Sequence, residues 1–156
     1  MKKLFLLMLG YGLLTGVVNA QSDSSVLLKK NASFTGAQTK QKKYHAIYQL
    51  DSNDPKVIEK ALRNLSNALN DPRLSGRLEA ELIAFSGGTE AYLKGSKYEA
   101  DLKALVEKGV IVAQCNNTLR EKKISRDQLF DFIAVVPSGN GELILRQAEG
   151  WAVIKP

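Results

Sequence analysis

The chain has 156 residues, a formal net charge of +6 and one cysteine. This length suits one domain with a substantial core and is too short for two ordinary domains. The basic residues are scattered and do not alternate with aromatic ones, which argues against a nucleic-acid partner, and one cysteine excludes an internal disulfide. One histidine and one cysteine cannot supply a zinc site. No phosphate-binding loop or complete dinucleotide fingerprint is present, so no cofactor is expected.

The first twenty residues have the pattern of a secretory signal. Lys2 and Lys3 precede the apolar stretch LFLLMLGYGLLTGVV, and small residues end at Ala20, where a signal peptidase cleaves. We therefore predict a signal peptide at 1–20, no stable membrane anchor after its removal, and a periplasmic or secreted mature protein. Residues 21–43 are rich in Ser, Lys, Gln and Thr, which predicts a poorly ordered leader with a short strand or turn around Val26–Leu28.

Residues 44–156 alternate between β-rich runs and amphipathic helical runs, which predicts a single α/β domain. Asn53 or Asp54 can cap the first helix of this domain, and Pro55 suits its first turn. The third and fourth strands are nearly continuous apolar runs, as in a parallel sheet covered on both faces. Strict alternation predicts a three-layer α/β/α sandwich with a five-stranded parallel sheet. The predicted strands are 44–50, 78–86, 110–115, 133–137 and 151–156.

Four small, polar turns follow these strands. In a parallel sheet, ligands bind beyond the carboxyl ends of the strands, where helix starts offer unpaired N–H groups. Ordinary β/α turns also use Gly, Ser and Asn, so the pattern alone does not separate a binding edge from simple turns. The candidate ligand-binding residues are Ser86, Gly87, Gly88, Asn116, Asn117, Thr118, Ser138 and Gly139.

Cys115 is the candidate catalytic residue. It ends the third predicted strand and directly precedes a short helix or turn, NNTLREKK. Amides at a helix start stabilise a thiolate and lower the thiol pKa. Unpaired cysteine is also among the most buried residue types, so a core role stays open. His45, the single histidine, lies inside a predicted strand and is not expected to pair with the thiol.

Two stretches of the chain resemble a known family. AELIAFSGGTEAYLKGSKYEADLKALVEKGVIVAQCNNTL and VVPSGNGELILRQAEGWAVIKP resemble the DsrE-like family of small sulfur-relay proteins, and YQLDSNDPKVIEKALRNLSNAL fits the family's first strand and helix. The resemblance implies a parallel five-stranded sheet and a homo-oligomer, a trimer or hexamer. In members that move sulfur, a cysteine at the position of Cys115 carries a persulfide.

Two functions follow from the residues and the resemblance. The first is an exported, sulfurtransferase-like sulfur carrier that forms a persulfide on Cys115 and exchanges it with a donor or acceptor protein. The second is a non-catalytic oligomeric module that binds a small anion or ligand at the same edge, with Cys115 buried. Surplus apolar residues predict subunit contacts at the Tyr92–Leu93 turn and the Leu143–Leu145 helix.

Overall fold

The structure is a computed structural model that describes residues 20–156, and the chain divides into two units, residues 1–37 and 38–156. The predicted signal peptide lies outside the described residues except for Ala20. In the first unit, helix α1 spans Ala20–Ala32. No helix in residues 20–156 is long and apolar enough to cross a membrane.

Helix α1 replaces the short strand or turn expected around Val26–Leu28, so that expectation was wrong. The run AQSDSSVLLKKNA contains neither Gly nor Pro, and its Ala, Leu and Lys residues favour a helix. Lys29 and Lys30 lie in the last turn, where positive charge interacts favourably with the helix dipole. Three consecutive apolar residues were too short a signal to identify a strand.

The second unit is the predicted α/β sandwich. All strand pairs are parallel, and the strands lie in the order β4-β3-β2-β1-β5. The chain passes to the neighbouring strand three times in one direction and then returns from the β4 edge to the β5 edge. The strands are β1 (Tyr44–Leu50), β2 (Leu78–Ala84), β3 (Ile111–Cys115), β4 (Ala134–Val136) and β5 (Ala152–Ile154). The helices are α2 (Pro55–Asn70), α3 (Glu99–Glu107), α4 (Asn116–Lys122) and α5 (Gly139–Ala148).

Helices cover the sheet on both sides, but unequally. Apolar residues of α2, α3 and α4, such as Leu65, Leu102 and Leu119, belong to the larger core cluster. On the other face, Leu143 of α5 packs against a small cluster formed by Ile47, Ile83 and Ala113. Helix α2 begins as predicted, because the Asp54 side chain accepts a hydrogen bond from the Lys56 amide at 2.9 Å and proline occupies the first turn.

The second strand ends earlier than predicted. It stops at Ala84, and residues Ser86–Tyr92 form a short 3₁₀ helix. Gly88 permits the close packing of this turn, because a Cβ at this position would clash with the backbone of Leu50 at the end of β1. The fourth and fifth strands are likewise shorter than predicted, at three residues each.

An ion pair connects α5 to the sheet. Glu81 on β2 is fully buried, and its Oε2 accepts a hydrogen bond from Arg146 Nε at 2.8 Å. The Arg146 guanidinium also contacts Glu142 and Glu149 and lies 4.2 Å from the centre of the Trp151 ring. The Oε1 atom of Glu81 has no hydrogen-bond partner. Burial, and then the Glu142 carboxylate, raise the pKa of Glu81, while Arg146 opposes the shift.

Candidate functional site

The site begins where β3 ends. Cys115 pairs with Val136 of β4 and is also the residue that precedes the first turn of α4. Its backbone is extended, at φ −69° and ψ 119°, and the helix starts at the next residue. The predicted junction of strand, cysteine and helix is therefore present. It directs the amides of the first turn of α4 towards the cysteine side chain.

Hydrogen-bond donors from the first turns of α4 and α5 stabilise the thiolate form of Cys115. They are the backbone amides of Thr118, Gly139 and Asn117 and the hydroxyl of Thr118. Burial, the largest single effect, raises the pKa of the thiol, but the hydrogen bonds together outweigh burial and hold the pKa below its ordinary value. Cys115 as a whole residue is 5% exposed. The arrangement thus favours a thiolate in a confined space.

Gly139 brings a second helix start to the sulfur. A Cβ at this position would lie 2.8 Å from Cδ1 of Phe85 and 3.3 Å from Cβ of Cys115. The first turn of α5 can approach the thiol this closely because Gly139 has no side chain. Ser138 sets the start of the helix, since its Oγ accepts a hydrogen bond from the Gly141 amide at 3.1 Å.

Thr118 connects a third turn to the site. Its side chain is buried, and its Oγ1 accepts a hydrogen bond from the Ser86 amide at 3.1 Å. Ser86 has a positive φ of 51°, which is uncommon for a residue other than glycine and orients this amide after the end of β2. The turns after β2, β3 and β4 therefore meet around Cys115, as the predicted edge required.

The remaining candidates lie on the same edge but do not all contact the thiol. The Gly87 amide donates to the Asp51 carbonyl at 3.1 Å, and Gly88 packs on Leu50, so both contact the end of β1. Asn116 is exposed. The Asn117 side chain accepts a hydrogen bond from Arg120 at 2.6 Å, and its backbone amide helps to lower the pKa of the Cys115 thiol.

Gln114 is a site residue that the sequence analysis did not identify. It is fully buried, and its Nε2 donates to Thr89 Oγ1 and to the carbonyl of Cys115, both at 3.0 Å. These bonds hold the end of β3 to the 3₁₀ helix. The available signal was a polar residue within an apolar strand, directly before the cysteine. Phe85, whose ring approaches Gly139, was also missed because an aromatic residue at a strand end normally indicates core packing.

His45 lies at the opposite end of the sheet. It pairs with Glu79 at the start of β2, which is about 20 Å from Cys115 along the strand direction at about 3.3 Å per residue. Its Nε2 lies 3.3 Å from Glu79 Oε2, and its ring centre lies 5.2 Å from that of Trp151. His45 therefore cannot act as a base for this thiol. In the part of the chain that the structure describes, no group of three His, Cys, Asp or Glu side chains could hold a metal ion.

The fold is shared with solved structures. Protein MTH1491 from Methanobacterium thermoautotrophicum, of unknown function, is 32% identical, with a TM-score of 0.69 over 73% of this chain and 100% of its own. The ychN protein from Escherichia coli is 18% identical, with a TM-score of 0.60 over 74% of this chain and 100% of its own. BT1422 from Bacteroides thetaiotaomicron, also of unknown function, is 9% identical, with a TM-score of 0.59 over 72% of this chain and 94% of its own. The last two likenesses show the fold alone.

A family match adds sequence evidence to this fold. No curated protein matches the chain significantly. The model of the DsrE/DsrF-like family matches residues 57–156, which include most of α2, the thiol turn and the whole of α5. This match suggests a function related to sulfur relay. The parallel five-stranded sheet, the MTH1491 likeness and the family match agree, and the chain belongs to the DsrE/DsrF-like family.

Proposed function

We propose that this protein is an exported sulfur carrier that holds sulfur as a persulfide on Cys115. The observation that carries the proposal is the position of Cys115 at the end of β3, directly before α4 and against Gly139 at the start of α5. Donors from Thr118, Gly139 and Asn117 lower the pKa of the thiol there despite burial. A thiolate is the nucleophilic form of cysteine, so a lowered pKa supports a reactive role. Membership in a family related to sulfur relay supports the same chemistry.

The loading step is a thiol exchange at sulfur. The Cys115 thiolate attacks the outer sulfur of a donor persulfide, R–S–SH, and forms Cys115–S–SH. The sulfur–sulfur bond of the donor breaks, and the donor leaves as R–S⁻. The outer sulfur keeps its proton, so the step needs no external oxidant or reductant. A polysulfide chain can serve as donor in the same way.

The donors around the sulfur have a role in both directions of transfer. In loading they stabilise the attacking thiolate, and in unloading they stabilise Cys115 as the leaving group, since a thiol of lower pKa leaves faster. Thr118 contributes both an amide and a hydroxyl, and Gly139 contributes an amide from a different helix. Gln114 is a positioning residue, because it fixes the carbonyl of Cys115 and touches no reacting atom.

Export and assembly complete the proposal. The signal-like residues 1–20 support removal of that segment and a periplasmic or secreted mature protein that begins at Gln21. The family resemblance and the exposed Ile144 and Leu145 on α5 support a homo-oligomer, a trimer or hexamer. A donor or acceptor protein would then meet the Cys115 edge of each subunit.

Mass spectrometry of the mature protein after treatment with inorganic polysulfide tests the carrier. We expect a mass gain of one sulfur atom, reversed by dithiothreitol and absent in Cys115→Ala. The matched control is Ser75→Ala, at an exposed position in the turn before β2 and at the opposite end of the sheet, which should take up sulfur normally. Uptake that persists in Cys115→Ala, or that is absent from the folded protein, would contradict the proposal.

The 5% exposure of Cys115 favours one alternative, a ligand-binding module in which the thiol is only a core residue. The amides near Gly139 would then hold a small anion instead of a thiolate. In that case Cys115 should resist alkylation in the folded protein and react fully after unfolding. A persulfide on the folded protein excludes this alternative.

A further inference from the structure

A basic groove lies beside the thiol edge. It has a volume of about 680 Å³ and runs between α4 and the outer strand β4. Its apolar lining comes from Leu119, Ile124, Ile133 and Val135, and its end at Asn116 adjoins Cys115 in the chain. We refer to it as the α4–β4 groove. An apolar floor beside an open strand edge suits a polypeptide segment.

The charge of the groove indicates which kind of segment it can bind. The charged residues of its lining are Arg120, Lys123 and Arg126, all of them basic. Arg120 bonds to the neutral Asn117 side chain, and Arg126 donates to backbone carbonyls, with Ile133 O at 2.6 Å. Within residues 20–156, Lys123 has no ion-pair partner. These positive charges are not balanced by carboxylates in the groove, so an acidic ligand is complementary.

The outer strand supplies a backbone template. Because β4 is an edge strand, the row of N–H and C=O groups that faces away from β3 has no strand partner in the described sheet. Val135 is 39% exposed on this strand. An added strand outside β4 would be two strand spacings from β3, about 10 Å from the Cys115 backbone. The residues that follow such a segment can therefore reach the thiol.

We propose that the α4–β4 groove binds an extended acidic segment of a partner protein, and that a cysteine of this segment receives the sulfur. The second half rests on the proposed function. The partner thiolate attacks the outer sulfur of Cys115–S–SH, the persulfide bond breaks, and Cys115 leaves as a thiolate. The partner gains only the outer sulfur with its hydrogen and becomes R–S–SH, so atoms and electrons balance without another reactant. The basic groove thereby selects which thiol approaches Cys115.

Nucleic acid is the competing ligand for a basic surface. The apolar residues of the groove are aliphatic and none of its lining residues is aromatic, so the groove offers no aromatic surface for base stacking. The edge backbone of β4 instead matches the hydrogen-bonding groups of an extended peptide. These features favour an acidic peptide.

Fluorescence anisotropy with the mature protein tests the groove. The probe is a labelled peptide of alternating Glu and Val residues that ends in Cys, and the control peptide has Lys in place of Glu. We expect the Glu peptide to bind, with an affinity that falls about tenfold in Arg120→Glu/Lys123→Glu and roughly threefold in Arg120→Gln/Lys123→Gln. Salt should weaken this binding.

The matched control is Lys56→Glu/Lys60→Glu, which makes the same charge change on exposed positions of α2. It should bind the Glu peptide as the unmodified protein does. Equal binding of the Lys peptide, unchanged binding by both groove variants, or tighter binding of a single-stranded oligonucleotide would overturn the inference. Sulfur uptake by the unmodified protein is measured separately. Uptake without charge-selective peptide binding would refute only the docking of an acidic segment in the groove. Charge-selective peptide binding without uptake would refute sulfur transfer and leave the groove as a docking surface.

Discussion

Cys115 is subject to two opposing influences. Burial favours the neutral thiol, whereas hydrogen bonds from Thr118, Gly139 and Asn117 favour the thiolate, and the pKa ends below its ordinary value. The lowered pKa of the thiol depends on hydrogen bonds rather than on a charged neighbour, since no Lys or Arg is among the leading causes of the pKa shift. Reactivity should therefore respond to the loss of a single donor.

Replacement of Thr118 by Val should raise the pKa of the Cys115 thiol. Valine keeps the shape of the side chain but removes the hydroxyl that donates to the sulfur. Less thiolate is then present at any pH below the pKa, and the rate of alkylation near neutral pH should fall about fivefold, the effect of one lost hydrogen bond. The measurement is the rate of reaction with iodoacetamide as a function of pH.

Thr118→Ser is the control for this prediction, because it restores the hydroxyl in a smaller side chain. Its alkylation profile should lie close to that of the unmodified protein. A profile unchanged by Thr118→Val would show that the hydroxyl does not influence the thiol. Thr118 Oγ1 also accepts from the Ser86 amide, so thermal unfolding should be recorded for both variants.

The sequence predicted part of this site. The position of Cys115 between strand and helix follows from local patterns of apolar and helix-starting residues, and it is correct. The amide of Gly139 could not be assigned to the sulfur, because its approach depends on how closely α5 packs against Phe85. Such a contact joins turns that are distant in the chain, and no local propensity encodes it.

Helix α5 depends on a polar anchor more than the other helices do. Glu81 is buried beneath it, and Arg146 provides the nearest positive charge. A buried carboxylate that loses its partner is costly, whereas a protonated carboxyl needs no cation. The attachment of α5 to the sheet, and therefore the position of the Gly139 amide, depends on the Glu81–Arg146 ion pair.

Replacement of Arg146 by Met should destabilise the protein by about 3 kcal/mol near neutral pH. The loss of the guanidinium raises the already elevated pKa of Glu81 further. A carboxyl with a raised folded-state pKa contributes stability below its unfolded pKa and loses it as the pH rises through the folded pKa. The difference in unfolding free energy between the unmodified protein and the variant should therefore become smaller as the pH falls. Urea unfolding across a range of pH measures it.

The double variant Arg146→Met/Glu81→Gln serves as the control. It removes the buried charge together with its partner, so it should recover much of the lost stability at neutral pH. A deficit in Arg146→Met that does not vary with pH would mean that lost packing on Trp151, and not the charge of Glu81, is responsible.

Elements with long periodic patterns were predicted best. Helix α2 begins at Pro55 as expected, because its cap and apolar stripe are local features. The strand boundary at Ala84 and the 3₁₀ helix after it were not predicted, and this turn packs against Leu50 of another strand, a contact that local patterns do not encode. Helix α1 was not predicted, because the polar composition of residues 21–43 is typical of a disordered segment.

At the scale of the molecule, the apolar surface differs from the expected one. Tyr92 is fully buried, and its hydroxyl donates to the Leu82 carbonyl at 3.0 Å, so it supplies no surface for a subunit contact. Leu93 is half-buried against the core. On α5, in contrast, Ile144 is 67% exposed and Leu145 is 61% exposed. The predicted contact is therefore best sought on α5.

Replacement of Leu145 by Glu should release monomers from the predicted oligomer. A charge placed in an apolar contact must be desolvated without a partner, which costs about 2 kcal/mol or more at each contact. Light scattering measures the mass of the unmodified protein and the variant at the same concentrations. We expect a closed oligomer for the former and a single subunit for the latter.

Gln147→Glu is the control for assembly, since it adds the same charge at another exposed position of α5. It should not release monomers. If the unmodified protein has the mass of one subunit at all micromolar concentrations, the oligomer is refuted. The thiol site would then have to function within one chain.

The position of β5 has a consequence for how the molecule assembles. β1, β2, β3 and β4 can pair one after another, but β5 must cross the sheet to join Ala46 with Ala152. A pairing between residues so far apart in the chain is slow, because loop closure must precede the contact. Until then, the outer backbone edge of β1 is open. An open apolar strand edge can pair with the same edge of another chain. During folding, aggregation should therefore begin mainly at YHAIYQL, the β1 segment that pairs with β5 in the folded protein.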